Sequence, residues 1–217
     1  MKKANYKPVY WLILLCLVIT AVWVQFLPDT VPVHFGPTGE ADRYGSRYEL
    51  FIPPLIFTVF GLLFPVISRF TAKEQPGNER TMVRIFTGTL VFFNVLQVYL
   101  LYTASNYVPD AANNADTLKL VCIAMGVLLI FISNLMPKAE MNSAFGLRTP
   151  WSSKSPEVWQ KSQRFGAYSG IGCGLLLILC GVFFTGITAT VMLLVVILVW
   201  GVIATVGSYL ISKRAES

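Results

Sequence analysis

The chain has 217 residues, of which 55% are apolar and only 13% are charged, and its formal net charge is +6. A soluble domain carries about 25% charged residues, and so few charges cover a water-exposed surface poorly. The composition therefore argues against a soluble enzyme, a disordered chain and a disulfide scaffold. Together with a mean hydropathy of +0.63, it predicts a membrane protein.

Six apolar segments approach or reach the length of about 20 residues that a helix needs to cross ~30 Å of hydrocarbon. In chain order they cover residues 9–27, 50–68, 85–102, 120–136, 168–184 and 189–211. The first is longer than the apolar part of a signal peptide, and Pro28 and Asp29 stand where a cleavage site would be expected, so we interpret it as a retained span. The sequence thus predicts an all-α integral membrane protein with about six transmembrane helices.

The loops suggest two units. We expect an N-terminal two-span unit over residues 1–70, whose outer loop 28–49 is rich in Pro and Gly, and a C-terminal four-span unit over residues 71–217. The second unit contains a long loop over residues 137–164, between spans four and five.

The distribution of Lys and Arg predicts the orientation, because cytoplasmic loops carry an excess of both. Three cations fall on one side, namely Arg43, Arg47 and Lys119. The other fourteen fall opposite: Lys2, Lys3, Lys7, Arg69, Lys73, Arg80, Arg84, Lys138, Arg148, Lys154, Lys161, Arg164, Lys213 and Arg214. Both termini and loop 137–164 are therefore expected in the cytoplasm, and loops 28–49 and 106–116 outside. Topology and anionic lipid explain the basic balance, so we expect no direct nucleic-acid binding.

Little in the spans indicates catalysis or ion coupling. No carboxylate falls near a predicted bilayer midplane, where a coupled carrier usually has an ionisable group. Asn94 and Gln97 are interpreted as hydrogen-bond partners between helices. The single histidine excludes a two-histidine zinc protease motif. We expect no enzyme activity and no cofactor.

Small residues in the spans are interpreted as packing features. Gly166, Gly170 and Gly174 recur every four residues, which lets another helix approach closely. Packing within the monomer is favoured over a dimer interface. The cysteines, namely Cys16, Cys122, Cys173 and Cys180, lie in apolar runs and are interpreted as free core residues.

The outer loop contains the only histidine, His34, followed by Glu40 and Asp42. A metal site built from these three side chains is conceivable. A structural histidine that bonds the loop to itself is the favoured interpretation.

The inner loop predicts a short helix. Ser155 suits an N-cap, Pro156 the first helical position and Glu157 the first turn. Lys161 and Arg164 flank an apolar face, so we expect an interfacial helix on the inner leaflet, with Trp159 at headgroup depth. We further expect Arg148 to bond backbone carbonyls at the end of span four. A simple loop anchor would explain these residues equally well.

Two groups of motifs resemble the SdpI family of bacterial immunity proteins. The first runs from Asn134-Leu-Met-Pro-Lys138 through Asn142 and Gly146-Leu-Arg-Thr-Pro-Trp151 to Glu157-Val-Trp159 and Arg164. The second is the outer stretch Leu27-Pro-x-x-Val-Pro-Val-His-Phe-Gly36 with Gly39, Asp42, Gly45 and Ser46. One departure concerns Ser162-Gln163-Arg164, where the family often has Thr-His-Arg, so a role that needs an imidazole at position 163 is in doubt.

The resemblance implies a protein of the bacterial cell membrane that protects its producer from a secreted peptide toxin. It also implies a sensor that captures a cytoplasmic transcriptional repressor. A small exporter of the toxin or of another amphiphile is the alternative, although Pro53, Pro54 and Pro65 interrupt span two without a counterpart in span five. The expected toxin-facing residues are His34, Phe35, Gly36, Asp42, Arg43 and Gly45. The expected partner-facing residues are Asn134, Pro137, Lys138, Asn142, Gly146, Arg148, Thr149, Pro150, Trp151, Trp159 and Arg164.

Overall fold

The computed structural model describes residues 4–74, 77–107 and 116–216. Within them lie six helices that are long and apolar enough to cross a membrane, which confirms the predicted fold class. The helices are α1 Lys7–Trp23, α2 Ile52–Glu74, α3 Asn78–Asn106, α4 Asp116–Leu135, α5 Pro156–Phe183 and α6 Gly186–Glu216. Lys2, Lys3 and most of the predicted outer loop 106–116 lie outside the described residues.

The helices pack in two groups of three, α1 with α2 and α3, and α4 with α5 and α6. Aromatic stacking joins α2 to α3, with ring centroids 4.1 Å apart both for Phe57 and Phe93 and for Phe64 and Phe86. Contacts between α3 and α4 connect the groups. The predicted unit boundary at residue 70 stays a prediction.

Glycine brings α4 and α5 together. A Cβ on Gly174 would lie 2.8 Å from the Gly126 carbonyl oxygen, and one on Gly166 would lie 2.8 Å from Met136 Cε. Gly170 packs against Ser133. The interpretation of this repeat as packing within the monomer is confirmed. The four cysteines are free, and three of them are buried, as expected.

An antiparallel hairpin between α1 and α2 was not predicted. Strand β1, Thr30–Phe35, pairs with β2, Ala41–Ser46, and the register shifts near His34. The Gly36 N–H donates to the Glu40 carbonyl at 2.8 Å to close the turn. Gly39 has a φ of 89°, which side chains with a Cβ rarely adopt.

Contacts between chain segments place the hairpin and the inner loop at opposite ends of the helices. The Thr190 hydroxyl donates to the Pro37 carbonyl at 3.0 Å, which places the start of α6 beside the hairpin. Lys154 pairs with Glu216 at 2.5 Å, which places the inner loop beside the end of α6. We name these the outer end and the inner end after the predicted orientation, which itself stays a prediction.

Helix α5 differs from its prediction. Ser155 caps it by accepting from the Val158 N–H at 3.2 Å, with Pro156 at the first helical position, as predicted. The helix then continues without a break to Phe183, so the predicted short helix is the first part of α5. The Trp159 side chain is only 2% exposed and lies inside the protein, and its depth in the membrane stays a prediction.

The two polar residues of α3 behave differently. Gln97 donates to the Thr20 hydroxyl at 3.2 Å and to the Leu50 carbonyl at 2.9 Å, so its predicted role between helices is confirmed. Asn94 instead donates to the Leu90 carbonyl of its own helix at 2.8 Å, so the prediction for Asn94 is wrong. Short amide side chains readily bond the preceding turn of a helix in this way.

Candidate functional site

Charged side chains fix the hairpin. His34 Nδ1 lies 2.5 Å from Asp42 Oδ1, across the two strands, which confirms a histidine that bonds the loop to itself. Arg43 donates to Glu49 at 2.7 Å, and Glu49 also accepts from the Ser46 N–H at 3.1 Å. A Cβ at Gly45 would overlap this Glu49 carboxylate. Within the described residues there is no group of three metal-binding side chains.

Arg47 ties the base of the hairpin together, which sequence reasoning did not foresee. Its guanidinium donates to the Leu27 carbonyl at 2.6 Å and pairs with Asp29 at 3.4 Å. The Arg47 N–H also donates to the Asp29 carbonyl at 3.0 Å. One side chain thereby joins the segments that enter and leave the hairpin.

Aromatic contacts hold the hairpin on the helices. The hydroxyl of Tyr107, just after α3, accepts from the Ala41 N–H at 3.1 Å. Phe35 and Tyr44 both meet the Tyr107 ring edge to face, with centroids 5.9 Å away. The hairpin is therefore seated at the outer end by contacts to α3 as well as to α6.

A cleft of 400 Å³ lies between the hairpin and helices α2, α3 and α4. This volume is within the range of ligand pockets in proteins. Its lining is mainly aromatic and aliphatic with a few polar groups: Val33, His34, Phe35, Pro53, Phe57, Phe93, Leu96, Gln97, Tyr99, Leu100, Thr103, Leu118 and Val121. Such a surface can accept an apolar side chain and offer it a few hydrogen bonds.

The outer residues named from the sequence divide into two sets. His34 and Phe35 line the cleft. Asp42, Arg43 and Gly45 shape the hairpin through the contacts described above, and Gly36 forms its turn. The residues that sequence reasoning missed come mainly from α2 and α3, whose apolar side chains looked like ordinary span residues.

At the inner end, Asn142 organises the loop between α4 and α5. Its amide group donates to the carbonyls of Glu140 and Phe145 at 2.7 and 3.2 Å. Its oxygen accepts from the N–H groups of Ala144 and Phe145 at 2.8 and 2.9 Å. Asn142 is only 8% exposed, so these bonds satisfy a polar group that has little access to water.

Gln163 holds the next part of the loop. Its amide oxygen accepts from the Leu147 N–H at 2.9 Å, and its amide nitrogen donates to the Leu147 carbonyl at 2.9 Å. A Cβ on Gly146, where φ is 100°, would lie 2.8 Å from the Gln163 oxygen. Gln163, the residue that departs from the expected Thr-His-Arg run, is therefore fully buried and has a structural role.

Two further contacts attach the loop to its surroundings. Asn78, at the start of α3, donates to the Glu140 carbonyl at 3.1 Å and accepts from the Glu140 N–H at 3.0 Å. The Trp159 indole donates to the Ala139 carbonyl at 2.8 Å. Both side chains are buried, and Asn78 links the inner loop to the first group of helices.

The end of the loop rests on α6. Thr149 and Ser152 each accept the other's backbone N–H at 2.9 Å, and the Thr149 hydroxyl bonds the Ser208 hydroxyl at 2.8 Å. The Trp151 ring meets the Tyr209 ring edge to face at 5.3 Å. The inner loop is thus fixed on several sides.

The role expected for Arg148 is wrong. Its side chain is exposed, and within the described residues it bonds no carbonyl at the end of α4. Amide and indole groups, which need no exposed charge, hold the loop carbonyls instead. The named residues that remain exposed are Asn134, Lys138, Gly146, Arg148, Pro150 and Arg164.

A second cleft, of 330 Å³, opens beside these exposed residues. It lies between the end of α4 and the start of α5, and its lining includes Pro137, Lys138, Glu140, Trp159 and Gln160. It offers both charges and an apolar floor, as a small protein-binding groove does.

Tyr6 anchors the N-terminal segment at this end. Its hydroxyl donates to Glu79 at 2.5 Å and bonds Ser68 at 2.6 Å. Burial, followed by the hydrogen bond to Glu79, raises the pKa of Tyr6 above its ordinary value. Tyr6 therefore stays a neutral hydrogen-bonding group at physiological pH.

Comparison with known proteins identifies two regions. Residues 138–208 match the SdpI/YfhL protein family, and residues 11–58 match a domain of unknown function, DUF1648. The chain is 27% identical over 210 residues to Immunity protein SdpI of Bacillus subtilis (strain 168), covering 96% of this chain and 97% of the relative. It is 51% identical over 47 residues to an uncharacterized protein of Archaeoglobus fulgidus, covering 21% of this chain and 26% of that protein. No solved structure gives a significant match.

The fold and these matches define a multi-pass protein of the bacterial cell membrane. The resemblance to the SdpI family is confirmed, and the similarity extends over nearly the whole chain. It supports a role in immunity.

Proposed function

We propose that the chain is a non-enzymatic immunity protein that protects its producer by engaging a secreted peptide toxin at the outer end. The observation that carries this proposal is the near full-length similarity to Immunity protein SdpI. The 400 Å³ cleft beside the hairpin supplies a surface of suitable chemistry. A peptide that acts on membranes has apolar side chains, which the aromatic lining would remove from water.

The preformed geometry of the hairpin supports a binding role. The Arg47 contacts hold the base of the hairpin, and the exposed His34–Asp42 and Arg43–Glu49 pairs add smaller contributions, so one wall of the cleft is formed before any ligand arrives. A preformed wall loses less conformational freedom on binding, which raises affinity without additional contacts. In this proposal His34 and Phe35 contact the toxin, while Asp42, Arg43, Gly36 and Gly45 keep the hairpin in shape.

We further propose that the inner end carries the signalling surface, where a cytoplasmic repressor binds the 330 Å³ cleft and the exposed residues beside it. Helix α3 supports communication between the ends. Thr103 and Tyr99 line the outer cleft, whereas Asn78 bonds the backbone of the inner loop. A toxin that shifts α3 would therefore act on Glu140, which lines the inner cleft.

The proposal is tested by complementation. A Bacillus subtilis 168 strain lacking its own SdpI is challenged with spent medium of the parent strain, with and without this chain. We expect the chain to raise survival above the empty-vector control. Equal survival of both strains, at confirmed membrane levels of the protein, would contradict the proposal.

A matched pair of variants tests the cleft. Leu96→Trp fills the cleft. Leu198→Trp places the same ring on α6, at a residue that is 68% exposed. We expect Leu96→Trp to lose protection and Leu198→Trp to retain it, at equal abundance. Full protection by Leu96→Trp would place the toxin elsewhere.

A further inference from the structure

A groove runs along the contact between α3 and α4, on a surface not used by the proposed sites. Near the inner end it forms a cleft of 540 Å³, whose polar lining includes Asn5, Arg80 and Arg84. Towards the middle of the helices it continues as an apolar cleft of 490 Å³. Gly88 and Phe131 line both clefts, and the Phe131 ring packs against Gly88 where the clefts meet.

The polar mouth suits a phosphate group. Arg84 is exposed, and within the part of the chain that the structure describes it has no hydrogen bond or ion pair. Arg80 lines the same mouth one helical turn earlier. A guanidinium can donate two parallel hydrogen bonds to a phosphate, and basic pockets between transmembrane helices on the cytoplasmic side bind anionic headgroups.

The apolar part suits an acyl chain. Its lining consists of hydrocarbon side chains and small residues, including Val91, Val95, Ala124 and Val127. Val91, Val95 and Val127 are each about half exposed, so this apolar lining is open to the surroundings of the protein. The groove therefore presents an apolar surface below a cationic mouth.

The length of the groove matches one leaflet. Arg80 and Val95 are fifteen positions apart on α3, which is about 22 Å at 1.5 Å per residue. A bilayer with its headgroups is about 40–45 Å thick, so a single leaflet is about half of that. A phospholipid with its headgroup at Arg84 would reach Val95 with its acyl chain.

We propose that this groove binds an anionic phospholipid of the inner leaflet, with the phosphate on Arg80 and Arg84 and one acyl chain along α3 and α4. The lipid fills the space where the two groups of helices meet. It would thereby act as a structural ligand of the assembled six-helix protein.

Native mass spectrometry of the purified full-length protein tests the proposal. The delipidated protein is mixed with equal amounts of phosphatidylglycerol and phosphatidylcholine, and the bound lipid is counted. We expect one phosphatidylglycerol retained in preference to phosphatidylcholine. Arg84→Gln should reduce this preference about fivefold, given about 1 kcal/mol for each cation near anionic lipid.

Controls separate a specific site from general charge. Lys213→Gln removes an exposed cation at the inner end of α6 and should leave the preference unchanged. Ala124→Trp fills the apolar groove and should abolish retention, whereas Leu198→Trp should not. Circular dichroism melting in detergent establishes that each variant is folded.

Four results would overturn the proposal. Arg84→Gln could keep the parent's preference for phosphatidylglycerol, or Lys213→Gln could lose as much of this preference as Arg84→Gln. Either result would mean that Arg84 contributes only to the charge bias that orients the protein. Ala124→Trp could retain the lipid while folded, which would place the acyl chain elsewhere. Displacement of phosphatidylglycerol by inorganic phosphate would identify a site for a free anion rather than a lipid.

Discussion

At the scale of single residues, Gln163 shows how a buried amide can fix a backbone turn. Its oxygen and nitrogen engage the N–H and the carbonyl of the same residue, Leu147. An imidazole places its two nitrogens on different edges of the ring, so it cannot form both bonds to one residue. The amide at position 163 thus suits the local geometry of this chain.

We predict that Gln163→Glu loosens the inner loop. The carboxylate can still accept from Leu147 N–H, but it cannot donate to the carbonyl, and a buried unsatisfied group costs about 1–3 kcal/mol. Hydrogen exchange in detergent should show faster exchange of residues 146–152. Gln160→Glu, at an exposed position three residues earlier on α5, is the matched control and should change little. Equal exchange in both variants would show that the amide pairing does not stabilise the loop.

Arg148 and Gln163 also show what sequence alone can reveal about a site. The motif Gly-Leu-Arg-Thr-Pro-Trp located the loop correctly. We predicted that its charged residue, Arg148, holds the loop backbone, but Gln163 and Asn142 do so instead. A bonding partner sixteen positions away depends on how α5 returns to the loop, which no local pattern encodes. The outer cleft was hidden for the same reason, because its lining comes from three helices and a hairpin.

At the scale of elements, the six helices were predictable because each one needs a long apolar run. The hairpin was not, since Pro32 lies within β1, Gly45 lies within β2, and turn residues are frequent in irregular loops as well. Helices α3 and α5 extend beyond their apolar cores because polar first turns are capped or buried by the protein itself. Periodicity therefore located the spans but not their ends.

For the hairpin, we predict that Arg47→Lys loosens its base while Arg43→Lys does not. The Arg47 side chain is 22% exposed and donates to a backbone carbonyl, and losing such a charged hydrogen bond costs about 1.5–3 kcal/mol. The Arg43 side chain is 56% exposed, where an ion pair contributes about 0–1 kcal/mol. Limited proteolysis should cut the Arg47→Lys hairpin faster than the parent hairpin. Equal cleavage of the two variants would contradict a special role for Arg47.

At the scale of the whole molecule, the structure has two distinct ends, one with the hairpin and its cleft and the other with the inner loop held by buried amides. The charge count predicts that the hairpin faces outward. The proposal for toxin engagement depends on that orientation, since a secreted peptide reaches the outer face first.

The orientation is tested with single cysteines. Thr38→Cys and Ser153→Cys replace exposed residues at opposite ends, in a background where Cys16, Cys122, Cys173 and Cys180 are changed to Ala or Ser. An impermeant thiol reagent on intact cells should label position 38 and leave position 153 unlabelled until the cells are opened. Labelling of position 153 alone would show that the protein has the opposite orientation.

The central claim is protection by binding rather than by export, and the most direct measurement is survival with and without a proton gradient. Bacillus subtilis cells lacking their own SdpI, with this chain or an empty vector, are challenged with the parent strain's spent medium before and after a protonophore, under conditions where the medium still kills vector cells. We predict that the chain gives the same gain in survival in both states. A gain that disappears when the gradient is collapsed would contradict the account and support an energy-driven exporter.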